Sequence, residues 1–148
     1  MTTYVLNKKA TFDYELLEKF EAGISLLGTE AKSVRRKQGK LEGSHVVIRG
    51  GEAFLVGASI SAFQKANAPD DYDPERTRTL LFSKKQLDHL HTESEKKGLT
   101  LVPIRLYNQG RFLKLEVAIA RGKKKHDKRE TMKSRDTKRD IDRLLKQQ

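Results

Sequence analysis

The chain of 148 residues contains no cysteine. That excludes a disulfide framework, a thiolate metal site and a cysteine nucleophile. Proline is scarce, and of the three present, Pro69 and Pro74 fall in one stretch, 64–79. No apolar run approaches the ~18 residues that a membrane-spanning helix requires. The opening MTTYVLNKKATFDYE has no signal-peptide apolar segment. GxGxxG, Walker A and nucleophile-elbow patterns are missing as well. A cytoplasmic protein is the expectation that remains.

What the chain has in quantity is positive charge. Thirty-one Lys and Arg against 20 Asp and Glu leave a formal net charge of +11. Such a balance favours an anionic partner, nucleic acid or an acidic membrane surface. The charge is unevenly placed: residues 121–148 carry +7 and the preceding 120 residues only +4. All ten Phe and Tyr lie between Tyr4 and Phe112. The chain therefore divides into a body, 1–120, that can bury a core, and a basic tail, 121–148, that cannot bury one alone.

Within the body, Phe12, Tyr14, Leu16, Phe20, Ala22, Ile24 and Leu26 alternate, and only Glu18 breaks the period of two. This predicts one long bent strand with an irregularity near 17–19. GTEAKSVRRKQG predicts a short polar helix with Thr29 as N-cap and Gly39 as its stop. HVVIRGGEAFLVGASI predicts a hairpin turning at Gly50-Gly51, where positive φ is needed. Residues 64–79 read as a long loop. Ser83 and Gln86 form a capping-box pattern opening a helix over 83–97, ended by Gly98 and packing a narrow apolar side against an open end of the body. LTLVPIRLY and RFLKLEVAIA predict a second hairpin around Asn108-Gln109-Gly110, with Leu113, Leu115, Val117 and Ile119 facing one way. The fold class expected is β-dominated: a small closed antiparallel barrel of the oligonucleotide-binding type with two or three flanking helices.

Catalytic and metal chemistry find little support. His89 and His91 lie two residues apart on a helix and point in different directions, so they do not share one ion. Asp70, Asp71, Asp73 and Glu75 sit in a proline-bounded loop and read as a solvated segment rather than a Mg²⁺ site. The surviving signal is electrostatic. Lys32, Arg35, Arg36 and Lys37 cluster around one short helix, and Arg76 and Arg78 precede a strand. Basic side chains on such elements neutralise phosphates, and aromatic faces stack on unpaired bases.

Several stretches carry a family pattern. NKKA at 7–10, FEAGISLLGTEAKSVR at 20–35, DPERTRTLL at 73–81, GLTLVPIRLY at 98–107 and GKKKHDKRETMKSRD at 122–136 occur in order along nearly the whole chain. Together they resemble the small protein B (SmpB) family. The resemblance implies a barrel of the oligonucleotide-binding type that binds the tRNA-like domain of transfer-messenger RNA (tmRNA). It further implies delivery of alanine-charged tmRNA, with elongation factor Tu and GTP, to the A site of stalled bacterial ribosomes. It implies no enzyme activity, no cofactor and a monomer. Asn7, Glu21 and Leu81 match positions linked to tmRNA binding, and Glu30, Lys32, Arg35, Arg76 and Arg78 join them as expected RNA-binding residues. This chain departs from the pattern at Thr79, Phe82 and Ser83, which bears on the contacts at that edge.

For the tail the resemblance implies ribosome contact at the decoding centre and in the empty messenger channel. The residues so implied are Lys123, Lys124, His126, Asp127, Lys128 and Arg129, then Lys133, Arg135, Lys138 and Arg139. If helical, the 27 residues from 122 would span ~40 Å at ~1.5 Å per residue. Disorder in isolation and folding on the ribosome are the expectation. Two other readings stay open at this point: a general RNA-binding barrel without tmRNA specificity, and an RNA-processing enzyme using His126 and Asp127 as an acid–base pair. The second has poorly preorganised groups.

Overall fold

The computed structural model describes residues 1–64 and 70–123. In chain order its elements are β1 (Thr3–Leu6), α1 (Lys8–Asp13), β2 (Tyr14–Ile24), α2 (Gly28–Arg35), β3 (His45–Arg49), β4 (Glu52–Val56), β5 (Arg78–Leu81), α3 (Lys84–Ser94), β6 (Leu99–Gln109) and β7 (Phe112–Gly122). The strands make a single antiparallel sheet in the order β1-β6-β7-β2-β5-β4-β3. This is the predicted fold class, an antiparallel β domain of the oligonucleotide-binding kind with three short helices. The expected closure is corrected: no ladder joins the end strands β1 and β3. Instead β3 packs over β6 without pairing, which rolls the sheet around its core while leaving the ladder open.

The core follows from the alternation. Ala22, Leu55, Leu101, Leu106, Leu115 and Val117 point inward from the strands and are buried. Val34 of α2 and Leu90 of α3 are also fully covered and join the same core. The bend in β2 lies where Glu18 interrupts the period, with the register to β7 shifting between Leu16 and Glu18. Gly50 and Gly51 turn the β3–β4 hairpin at φ 61° and 76°, values that a side chain would disfavour. In the β6–β7 hairpin the turn falls at Gly110 and Arg111, one residue beyond the expected triplet, with Gly110 at φ 62°. Ser83 and Gln86 do cap α3 reciprocally, each backbone N–H donating to the other side chain at 3.2 Å.

Three local expectations are revised. The strand from Phe12 starts instead at Tyr14, because 8–13 coil into α1 and bury Ala10 against Val102, Ile104, Ala118 and Ala120. A four-residue strand, β1, precedes it and pairs with β6; so short an alternation gives no periodic signal. Helix α2 begins at Gly28, before Thr29, since the Glu30 carboxylate accepts from the Leu27 N–H at 2.8 Å. It also ends well before Gly39. Lys37 takes the left-handed conformation (φ 63°), and the N–H groups of Lys37 and Gln38 return to the Val34 and Ser33 carbonyls at 2.8 and 2.9 Å. That is a Schellman stop built on a lysine.

Candidate nucleic-acid interface

The central strands β6, β7 and β2 bury one face in the main core. Helix α1 covers one end of the opposite face, over Ala118 and Ala120. Among the described residues, no element covers the other end. Residues facing each other across antiparallel strands present side chains to the same side, so the registers define three cross-strand rows there. Arg105, Glu116 and Glu21 form one; Tyr107, Lys114, Gly23 and Leu81 form the next; Gln109 and Phe112 end the face. Leu81 is 64% exposed and Phe112 68% exposed.

On this face Glu21 is exposed but held in place. It stands beside Glu116, a repulsive like-charge pair. Arg105 relieves that repulsion by bonding Glu116 at 3.4 Å and stacking 4.2 Å from the Tyr107 ring centre. The Tyr107 hydroxyl donates to Glu21 at 2.6 Å. With its amide oriented toward the carboxylate, Gln109 donates to both Glu21 oxygens, at 2.9 and 2.6 Å. Burial and the adjacent Glu21 carboxylate push the Tyr107 phenol well above its ordinary range, so it remains a donor. The result is a fixed hydrogen-bond acceptor beside a lysine, an exposed leucine and an exposed phenylalanine. Such a set can accept from base amino groups, neutralise phosphate and contact apolar base or ribose surface.

Sequence reasoning named Glu21 and Leu81 but missed Tyr107, Gln109, Phe112 and Lys114. A usable signal existed: if Leu113, Leu115 and Val117 face the core, then Phe112, Lys114 and Glu116 must face the other way.

The basic helix α2 adjoins this face. Arg35 Nη2 donates to the Arg111 carbonyl at 2.7 Å, tying α2 to the β6–β7 turn. Lys32 and Arg36 lie 6.0 and 4.5 Å from the Phe63 ring centre, so Phe63 supports two exposed cations.

Glu30 and Arg78, expected to touch RNA, have no accessible side-chain surface. Arg78 Nη2 lies 2.6 Å from Glu30 Oε2, and its remaining donors reach the Ala58 and Pro74 carbonyls at 2.7 and 2.9 Å. Arg76 also pairs with Glu30, through Nε at 2.9 Å and through Nη2, and keeps 31% of its side chain exposed. Tyr72 donates to the same carboxylate at 2.9 Å. Burial alone would raise the Glu30 pKa, but the Arg76 and Leu27 hydrogen bonds and the Arg78 charge outweigh it and hold the carboxyl at about 2. Glu30 and Arg78 thus join α2 to the 70–78 segment from inside the fold. That segment, read as a solvated loop, is anchored through Tyr72, Arg76 and Arg78.

Asn7 sits at the start of α1, next to Leu6, which pairs with Arg105. It is buried, with Nδ2 donating to the Pro103 carbonyl at 2.9 Å, and Oδ1 meets no donor among the described residues. Lys123 follows β7 and is bonded back to α1, its N–H to the Asp13 carbonyl and its Nζ to the Thr11 carbonyl, both at 2.9 Å. The other tail residues, Lys124, His126, Asp127, Lys128, Arg129, Lys133, Arg135, Lys138 and Arg139, lie outside the described residues. His89 contacts Glu18 at 3.1 Å and His91 contacts Glu95 at 3.3 Å, each on its own side of α3. No group of three potential metal ligands occurs among the described residues.

Comparison with known proteins agrees with this architecture. The family model described as SmpB protein matches residues 4–147. The chain is 46% identical over 140 residues to an SsrA-binding protein of Microcystis aeruginosa, covering 95% of this chain and 91% of that one. It is 48% identical over 134 residues to an SsrA-binding protein of Mesoplasma florum, covering 90% of each. A chain of the solved structure "tmRNA-SmpB: a journey to the center of the bacterial ribosome" superposes with a TM-score of 0.68 at 41% identity, over 81% of this chain and 84% of that one. A match over almost the whole length, on a rolled antiparallel sheet with one polar, aromatic-edged face left open, means that this chain belongs to the SmpB protein family.

Proposed function

We propose that the protein binds the tRNA-like domain of tmRNA and carries it to the A site of stalled ribosomes. The observation that carries this reading is the uncovered face of β6, β7 and β2. There Glu21, fixed by Tyr107 and Gln109, sits one row from Lys114 and Leu81 in a chain matched to the family from 4 to 147. The protein acts as a binding factor rather than an enzyme, as a monomer in the cytoplasm. Elongation factor Tu with GTP joins it through the charged tmRNA.

On this reading Glu21 and Leu81 contact tmRNA directly. The exposed cations Lys32 and Arg35, with the exposed part of Arg76, supply phosphate contacts. Glu30 and Arg78 set the position of that helix from inside. Asn7 fixes the start of α1 on β6. The segment beginning at Lys123 extends to the decoding centre and the messenger channel, where Lys124, His126, Asp127, Lys128 and Arg129 meet the ribosome and Lys133, Arg135, Lys138 and Arg139 line the channel.

The test is the identity of the RNA that stays bound when the protein is purified at moderate salt. One abundant structured RNA, identified by sequencing as tmRNA and released at high salt, is the expected result. A heterogeneous RNA population would replace this reading with a general RNA-binding module.

A further inference from the structure

Of the ten aromatic residues, nine are buried or half-buried in the described structure, and only Phe112 is exposed. An exposed ring of this size in a strand forgoes the burial that would favour it. Phe112 is not at a frayed end. It opens β7 opposite Gln109, whose amide is engaged with Glu21. Arg35 fastens the carbonyl of the preceding residue at 2.7 Å. The backbone carrying the ring is therefore held from both sides. On the same face lie Lys114, two residues on, and the Glu21 acceptor.

A bare aromatic on a braced strand, next to cations and a fixed acceptor, matches the chemistry of an unpaired nucleotide. Its base stacks on the ring, its phosphate meets a cation, and an amino group is read by the carboxylate. A protein partner would call for a broader apolar patch. We propose that Phe112 is the stacking platform for an unpaired base of the RNA bound on this face. The inference rests on the proposed function and adds to it a position and a nucleotide state: the bound RNA must present a base free of its helix at the β6–β7 turn.

The chain contains no tryptophan, so Phe112→Trp introduces a single emitter at this position. The full-length protein is titrated with a transcript of the tRNA-like domain of tmRNA. Phe112→Ala weakens binding by about tenfold, with the thermal unfolding midpoint unchanged. Phe112→Trp binds like the unmodified protein and its emission is quenched on saturation. Phe112→Leu, apolar but without a π face, behaves like the alanine variant. Full affinity in the alanine variant, or unquenched tryptophan emission at saturation, overturns the inference. Full affinity in the leucine variant overturns it too, and points to a general apolar contact. If the unmodified protein fails to select this transcript over bulk RNA, the proposed function itself falls and takes the inference with it.

Discussion

Arg78 meets Glu30 through two nitrogens, Nε at 3.1 Å and Nη2 at 2.6 Å, and neither side chain reaches solvent. Two stretches 48 residues apart in sequence are thereby locked together. Removing one partner of a buried pair leaves an uncompensated charge, which costs about 3–5 kcal/mol. Glu30→Ala strands Arg78 in the interior and should lower unfolding free energy by that amount in urea titrations. Replacing both residues, Glu30→Leu with Arg78→Met, should cost much less. If Arg78→Met kept full stability yet lost RNA binding, a direct contact would have to replace the internal role.

The same carboxyl gives the acid limb of stability a sign and a window. Its pKa is lowered from 4.5 to about 2 on folding. The native state therefore favours the ionised form. The resulting stabilisation is complete above the unfolded value of 4.5 and is lost as pH falls toward about 2. A shift of this size corresponds to about 3 kcal/mol. Unfolding free energy measured between these limits should fall with decreasing pH in the unmodified protein and be distinctly flatter in Glu30→Gln. Equal slopes in the two proteins would exclude Glu30 as the titrating group.

Lys37 ends α2 in the left-handed region at φ 63°. A side chain there costs about 1–2 kcal/mol, partly balanced by the greater unfolded-state freedom of glycine. Lys37→Gly should stabilise the fold by ~0.5–1 kcal/mol, seen as a small rise in the thermal midpoint. A fall would mean that the lysine makes compensating contacts.

Tyr107 orients Glu21 through a 2.6 Å hydrogen bond. Tyr107→Phe keeps the ring and removes that donor from an exposed carboxylate, so stability should change by no more than about 1 kcal/mol. Affinity for tmRNA should fall several-fold as Glu21 loses its orientation. Unchanged RNA affinity would separate Glu21 positioning from recognition.

Strand β7 runs on past Ala120 to Gly122. Gly122 still pairs with Tyr14, and Lys123 bonds α1. Deleting everything after Lys123 should leave the thermal midpoint and tmRNA binding near those of the full chain, while abolishing peptide tagging on stalled ribosomes. Deletion after Ala120 should also lower the midpoint, since it removes the end of β7. Tagging by the shorter protein would rule out a messenger-channel role for the tail.

Residues that act locally could be read without coordinates. The alternation of Leu113, Leu115, Val117 and Ile119 put β7 in place, Gly50-Gly51 turned the first hairpin, and Ser83 with Gln86 opened α3, because each depends on neighbours within a few positions. Where the pattern was short or mimicked another, it misled. Phe12 continued the alternation of β2 but lies in α1, since covering Val102 and Ala118 favoured a helix there. The site divided along the same line. Glu21 and Glu30 are both acidic residues within family-like motifs, and nothing local tells them apart. Tertiary structure sends Glu30 between two arginines, out of solvent, and leaves Glu21 exposed beside Tyr107. The sequence by itself determined the longer strands, the Gly50-Gly51 turn and the excess of positive charge. Which charges hold the protein together and which face a partner was decided only when distant segments met, because a charge takes its role from what it is packed against.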